Sequence, residues 1–321
     1  MNGNICAIVV TYNRKELLLR CLHAIIKQTQ PVTAIFIVDN ASTDGTYDLL
    51  KANNFVSDTP LQEEAVTKRQ LGNITCYYLQ LKKNTGGAGG FHSGLKGAFE
   101  LEEFEYFWMM DDDGYPSENC LEEQFKYADM YDYVMPVSVD IENFDLLSWP
   151  VRLKNGKKTI NYDKLRTSWE EIMPHIFPFN GSLLTRKLVA AVGYPKKELF
   201  IWGDEYEHYE RCREKGFKPV TIMNAEFYHP ANKMSYEPIL FGLYNVPYTD
   251  VDWRFICLIR NATYLYWNYS GKYKIVLKWI VYSYLFLVKQ KFNTSKYSLY
   301  LKCVRDGIKG KFDRHFMYMN K

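Results

Sequence analysis

The 321-residue sequence has no Cys-x-x-Cys pair and no cysteine–histidine spacing that would build a zinc site. Its seven cysteines, at positions 6, 21, 76, 120, 212, 257 and 303, are scattered and odd in number. That argues against a disulfide framework and for reduced, buried thiols of a cytosolic protein. Long hydrophobic runs are missing too: no stretch reaches the roughly 18–20 apolar residues of a membrane-spanning helix. The first apolar run, Ile5 to Val10, is short and is followed at once by Thr-Tyr-Asn-Arg, so it does not read as a signal peptide. Internal repeats and low-complexity tracts are absent.

What is present is an ordinary apolar content of 47% and a high aromatic share of 16%, dominated by 26 tyrosines. The first suffices for a real core. The second suits sugars and interfaces, because a tyrosine ring stacks while its hydroxyl stays wet; an AT-rich genome would give the same excess. Net charge is +3 but uneven, since residues 251–321 hold 14 Lys and Arg against 3 Asp and Glu. A basic tail on a mildly acidic body suits an anionic surface.

Strand and helix patterns alternate. Ile5–Val10 reads as a buried strand, Lys15–Lys27 as a helix with Leu18, Leu22, Ile25 and Ile26 on one face, and Ala34–Val38 as a second strand. Ile74–Leu79, Tyr106–Met110, Tyr133–Val137 and Pro219–Met223 read as further strands. A glycine-rich loop, Asn84 to Gly90, is expected to open a helix over Phe91–Glu103, and residues 54–72 read as loop. The expected class is α/β, a doubly wound sheet with ligands at the strands' carboxyl ends. Residues 1–235 are expected to form the main domain and 236–321 a basic, aromatic helical region. There Trp253–Asn268 and Tyr273–Lys289 read as helices, with Lys272, Lys274, Lys278, Lys289 and Lys291 flanking apolar residues. Such a pair suits an interfacial membrane anchor; a cap on the sheet or a contact with a second subunit would use the same residues.

The chemistry concentrates at strand ends. Asp111-Asp112-Asp113 follows the apolar run Tyr106–Met110, and so much negative charge is tolerated where a divalent cation neutralises it. Strand alternation would point Asp111 and Asp113 the same way, to share one ion, and free Asp112 for a sugar or ribose hydroxyl. A solvated acidic turn running into Gly114-Tyr-Pro116 is the alternative. Asp39 ends the second strand and can accept from the N–H of a uracil or thymine, with backbone groups near Thr11 and Asn13 meeting the ring carbonyls and Arg14 a phosphate. No Lys-Ser/Thr follows Gly90, so the glycine run is not a Walker sequence. Asn84, Gly86 and Gly87 let backbone approach an anion at a helix N-terminus, or simply make a tight turn. Trp202-Gly-Asp-Glu205 opens a helix, where carboxylates are favoured in any case; one of them can also take a proton from a sugar hydroxyl. His229 could complete an oxygen-rich metal shell.

Taken together, Val10 to Arg14, Val38 to Gly45, Asn84 to Phe91, Met110 to Asp113, Phe200 to Glu205 and His229 resemble the inverting family 2 glycosyltransferases of the GT-A fold. The resemblance covers about residues 4–232. The glycine-rich loop and the Trp-acidic motif look most like the branch with galactofuranosyltransferases and rhamnosyltransferases, and Arg260-Asn261 and Gly307 to Gly310 are similar to tails in that branch. The resemblance implies a Rossmann-like mixed sheet flanked by helices with a C-terminal helical region. It implies Mn²⁺ or Mg²⁺ on Asp111, Asp113 and His229, a donor nucleotide held by Thr11, Asn13, Arg14, Asp39, Asn84, Gly86, Gly87, Asp111 and Asp112, and an acceptor at Trp202, Phe179 and Asn180. Glu205 would be the catalytic base. Asp is the commoner residue there, and Glu is one methylene longer, so Asp204 is the other candidate.

The implied partners are UDP-galactofuranose or dTDP-rhamnose and a lipid-linked or polysaccharide acceptor at the inner face of the plasma membrane, with no nucleic acid and room for a homo-oligomer. A sugar nucleotidyltransferase using Lys82 and Lys83 on a triphosphate, and a non-catalytic carbohydrate-binding protein, are the rival readings.

Overall fold

The computed structural model describes residues 3–57, 64–174, 178–231 and 234–319. The chain forms two compact units, Met1–Lys197 with His208–Asn232, and Glu198–Glu207 with Lys233–Lys321.

In chain order the first unit contains β1 (Ile5–Thr11), α1 (Lys15–Ile26), β2 (Ala34–Asp39), α2 (Thr46–Ala52), β3 (Val66–Leu71), β4 (Ile74–Gln80), α3 (Gly86–Glu100) and β5 (Tyr106–Asp111). There follow β6 (Tyr115–Pro116), α4 (Cys120–Phe125), β7 (Tyr133–Asp140), β8 (Leu146–Arg152), β9 (Lys158–Asn161), α5 (Tyr162–Trp169), β10 (Ile172–Met173), β11 (Ser182–Thr185) and α6 (Arg186–Val192). It closes with most of α7 (Asp204–Glu214), whose first turn belongs to the second unit, and β12 (Val220–His229).

The sheet runs β10-β12-β7-β11-β5-β1-β2-β4-β3. Strands β4, β2, β1 and β5 are parallel, while β11 is antiparallel to both β5 and β7, which makes the sheet mixed as expected. Cys6, Ile8, Val10, Phe36 and Val38 face one core, with Leu95 and Ala98 of α3. Ile5, Ala7, Val9, Ile35 and Ile37 face the other, with Leu18, Leu22 and Ile25 of α1. A strand covered on both faces is an unbroken apolar run, which is why these strands were legible.

The chain moves outward from β1 through β2 to β4, and α3 then carries it back across β1 to β5. The crossovers therefore leave β1 in opposite directions. The carboxyl ends of β1 and β5, at Thr11 and Asp111, flank the crevice where open α/β sheets bind ligands.

Two expectations need correction. Helix α3 starts at Gly86, not Phe91, so the glycine run is mostly helix. A Cβ on Gly90 would lie 2.3 Å from Val10 Cγ1, and one on Gly94 2.6 Å from Ile8 Cγ2, so these glycines let the helix settle close on the sheet. Packing overrides their poor helix propensity. Residues 54–72 include β3, an edge strand paired antiparallel with β4. Its Lys68 and Arg69 made it look like loop, yet charge is how an exposed sheet edge is protected.

The second unit contains a hairpin, β13 (Tyr236–Ile239) and β14 (Tyr244–Pro247), then α8 (Asp252–Leu265), α9 (Tyr273–Ser283) and α10 (Thr294–Lys309). Helices α8 and α9 each run on into a short π-helical turn, Tyr266–Ser270 and Tyr284–Lys289. The unit has its own core of Phe255, Ile256, Ile259, Tyr282, Leu285, Phe286, Leu299 and Tyr300. All seven cysteines are buried free thiols. Among the described residues no helix is long and apolar enough to cross a membrane.

Candidate active site

Strand β5 ends at Asp111 and the chain turns at once. Strand alternation therefore does not extend through the acidic triplet, and the turn brings Asp112 and Asp113 to the same arginine. Asp112 turns inward and is 2% exposed. Thr11 Oγ1, at the end of β1, donates to Asp112 Oδ2 at 2.6 Å, and Arg14 Nη1 donates to Asp112 Oδ1 at 3.2 Å and to Asp113 Oδ2 at 2.6 Å. Burial pushes the Asp112 carboxyl up to about 6, against the pull of Arg14 and the Thr11 hydroxyl. Asp113 also pays for desolvation, but His229 and Arg14 hold it below the ordinary carboxylate range. Arg20 Nη2 donates to the Asp113 carbonyl at 3.0 Å and pins the turn from α1.

The segment after the turn delivers Asp113 to His229. Strand β6 pairs antiparallel with the end of β12, Tyr115 opposite Tyr228 and Pro116 opposite Phe227. Gly114 makes this approach feasible, since a Cβ there would sit 2.2 Å from Phe227 Cε1 and 2.8 Å from the Tyr228 carbonyl. His229 Nε2 lies 3.1 Å from Asp113 Oδ1 but off the line of a hydrogen bond, and that buried oxygen has no hydrogen-bond partner. The ring's other nitrogen, Nδ1, faces the Pro230 carbonyl at 2.7 Å. Ser148 Oγ donates to the His229 carbonyl at 2.9 Å, and the Trp149 ring packs on the imidazole with centroids 4.5 Å apart. Neither Ser148 nor Trp149 stands out in the sequence, where residues 139–172 read as hairpin and loop material; the hairpin is β8 with β9.

An orphaned carboxylate oxygen beside an imidazole nitrogen fits a divalent cation. Among the described residues no three acidic, imidazole or thiol groups are gathered to hold one, so the set Asp111, Asp113 and His229 is not assembled. Asp113 and His229 meet as a pair. Mg²⁺-type ions are held in this way, by one or two protein ligands and the oxygens of a bound phosphate.

At the end of β2, Asp39 is fully buried; its Oδ1 accepts from the Ser42 N–H at 2.7 Å and its Oδ2 from the Tyr78 hydroxyl at 2.8 Å. Asn13, at φ 54°, ties this loop to β1: its N–H donates to Ser42 Oγ at 2.9 Å, and its Oδ1 accepts from the Thr43 N–H at 2.7 Å. Asn40, also missed, links β2 to α3. Its Oδ1 accepts from the Thr85 N–H at 2.8 Å and its Nδ2 donates to the Gly86 carbonyl at 2.9 Å. Asn84 Oδ1 accepts from the Gly86 N–H at 2.8 Å. Gly86 is buried, whereas a Cβ at Gly87 would meet nothing within 4 Å. Phe179 is buried against Phe91 at a centroid distance of 5.0 Å, and the Asn180 side-chain oxygen is buried without a hydrogen-bond partner.

Trp202, Asp204 and Glu205 belong to the second unit. The turn before them holds Phe200 at φ 70°, Trp202 at 63° and Gly203 at 93°. Asn261 Nδ2 lies 2.8, 2.8 and 2.9 Å from the carbonyls of Leu199, Ile201 and Trp202. Asp204 is 3% exposed. Desolvation pushes the half-buried Glu205 carboxyl up, opposed by nearby backbone N–H groups and Asp204. Tyr269 donates to Glu207 Oε1 at 3.2 Å.

The mixed sheet, with an acidic turn, an arginine and a histidine near its crevice, has the GT-A fold. Solved structures agree on the fold. GalNAc-T7 crystallised with UDP, GalNAc and Mn²⁺ superposes with a TM-score of 0.55 at 13% identity, over 83% of this chain and 48% of that one. TarS 1–349 of S. aureus gives 0.53 at 15% identity, over 97% and 83%. The sequence profile described as Glycosyl transferase family 2 matches residues 6–193, more than half of the chain, and the protein belongs to that family. Galactofuranosyltransferase GlfT1 of Mycolicibacterium smegmatis is 29% identical over 295 residues, 89% of this chain and 91% of that protein.

Proposed function

We propose that this glycosyltransferase is an inverting, divalent-metal-dependent enzyme that moves galactofuranose from UDP-galactofuranose to a hydroxyl of a lipid-linked or polysaccharide acceptor. The buried, unpartnered Asp113 Oδ1 beside His229 Nε2 carries the reading. Likeness to galactofuranosyltransferases over about nine-tenths of the chain favours that sugar; dTDP-rhamnose is the alternative donor.

Asp113 and His229 would hold Mn²⁺ or Mg²⁺, which when bound stabilises the departing diphosphate as a Lewis acid. Asn13, Arg14, Asn84, Gly87 and Asp111 form the donor side, and the buried Thr11, Asp39, Gly86 and Asp112 support it through their hydrogen bonds. Arg14 contributes positive charge for phosphate, and the pairing of Thr11 with Asp112 keeps the ends of β1 and β5 together. Trp202 forms the acceptor side; Phe179 and Asn180, each 1% exposed, are too buried to touch an acceptor. Glu205, with Asp204 beside it, takes the proton of the attacking hydroxyl; desolvation makes its carboxylate a stronger base. Attack from the face opposite the nucleotide inverts the anomeric centre.

An anionic membrane face suits the acceptor. On α9, Tyr273, Val276, Leu277 and Ile280 are each more than half exposed at the spacing of one helix face, with Lys272, Lys274 and Lys278 alongside. A second copy of the chain would cover the same stripe. Sedimentation with anionic vesicles separates the two.

The test is a panel of nucleotide sugars with Mn²⁺, scored by melting point and then by product. UDP release from UDP-galactofuranose with transfer to a galactan or lipid-linked acceptor is expected. Release of pyrophosphate from a nucleoside triphosphate would point to a nucleotidyltransferase instead, and binding without turnover to a carbohydrate-binding role.

A further inference from the structure

Arg260 and Asn261, in the middle of α8, are 0% and 1% exposed. An asparagine amide has two protons, and here three carbonyls of one turn, of Leu199, Ile201 and Trp202, crowd around it. Its orientation is fixed from the other side, where Arg260 Nε donates to Asn261 Oδ1 at 2.8 Å. Arg260 Nη2 donates to the Leu199 carbonyl as well, at 3.0 Å, and Nη1 reaches the Phe312 carbonyl at 2.8 Å and His315 Nδ1 at 2.9 Å. A buried guanidinium is thus committed to neutral acceptors that belong to, or brace, one turn.

That turn needs bracing. Phe200 and Trp202 both lie in the left-handed region, where an L-residue with a bulky side chain is strained. Such backbone persists only where its surroundings over-determine it. Gly203, at φ 93°, sits so close to α8 that a Cβ would lie 2.9 Å from Leu265 Cδ1. One residue later α7 begins, with Asp204 and Glu205 in its first turn. Further along, Tyr206 and Ser270 hydroxyls meet at 3.1 Å and Tyr269 holds Glu207.

We propose that Asn261, oriented by Arg260, is a positioning residue for acceptor activation. It locks the strained Phe200–Gly203 turn so that Glu205 is presented in one orientation. This rests on Glu205 being the base. The C-terminal helices are then part of the reaction apparatus and not only an anchor or a cap.

The test compares Asn261→Ala and Asn261→Asp with the full-length parent. The aspartate keeps the volume and the acceptor for Arg260 but removes both donors. Both variants are expected to lower kcat for transfer by at least about tenfold, while the affinity for UDP with Mn²⁺ and the donor KM stay within about twofold. Amide hydrogen exchange in residues 199–205 should rise selectively. Full kcat in the aspartate variant would overturn the proposal, because the residue would then only fill space. Failure of both variants to fold would overturn it too, since the pair would be a pillar of the second unit. Lack of transfer by the parent, with every donor and acceptor, would instead count against the functional reading beneath it.

Discussion

Asp113 Oδ1 stands 3.1 Å from His229 Nε2, buried and without a hydrogen bond. His229 Nδ1 faces the Pro230 carbonyl, so Nε2 is the ring nitrogen turned toward the carboxylate. A positive charge there, on the ring or on a cation, favours the charged form of Asp113. The arrangement is enforced by backbone: β6 is zipped onto β12, and Gly114 is the small residue that allows it.

Replacing the base separates chemistry from binding. Glu205→Gln is expected to lower turnover by roughly 10²–10⁴-fold, the usual worth of general-base help, with UDP affinity retained. Because desolvation raises the Glu205 carboxyl, the acid limb of the parent's kcat profile should lie above the ~4.3 of an unperturbed glutamate. A Gln variant with parental turnover would move the role to Asp204.

The glycines of α3 differ in purpose. Gly90→Ala forces a methyl to within 2.3 Å of Val10 Cγ1 and should destabilise the fold by about 1–3 kcal/mol in urea denaturation. Gly87→Ala has open space and should leave stability nearly unchanged. Gly87→Ala should instead weaken UDP binding; equal loss of stability in both variants would contradict this division.

Thr11→Val removes the hydroxyl that donates to buried Asp112 while leaving the carboxylate in place. An unsatisfied buried acceptor costs about 1–3 kcal/mol, and a loss of that size is expected in the same denaturation assay. No loss would mean that Arg14 alone suffices.

Stability should also fall in mild acid. His208 is buried beside the rings of Tyr133 and Phe179 and donates from Nε2 to the Gly193 carbonyl. Desolvation, with Arg211 adding to it, depresses its imidazole from 6.5 to about 3. Between those values the unfolded chain binds a proton that the folded chain refuses, so stability drops as pH falls from about 6.5 toward 3. His208→Gln should flatten the slope of unfolding free energy against pH in that window; an unchanged slope would assign it to other groups.

The strands around the switch point were legible because each is buried on both faces and so reads as an apolar run, Ile5–Val10 and Tyr106–Met110 above all. The residues singled out in the first unit stood out for a related reason: they follow those strands directly. What escaped came from elsewhere. Period-two reasoning placed Asp111 and Asp113 together, but the strand stops at Asp111 and the turn decides the rest. Gly86 to Gly90 looked like loop because propensity says nothing of a helix pressed against Val10. Asn40, Trp149 and Asn261 act through contacts far apart in sequence, and no local pattern marks them. Arg260-Asn261 stood out only by resemblance, with no role attached.

Titration calorimetry of UDP into the protein, with and without Mn²⁺, tests the central claim most directly when Asp113→Ala and His229→Ala are run beside the parent. Tight binding by the parent only when metal is present, weakened at least about tenfold in each variant, is the predicted result. Equal UDP affinity without metal, or in the Asp113→Ala protein with it, would contradict the account.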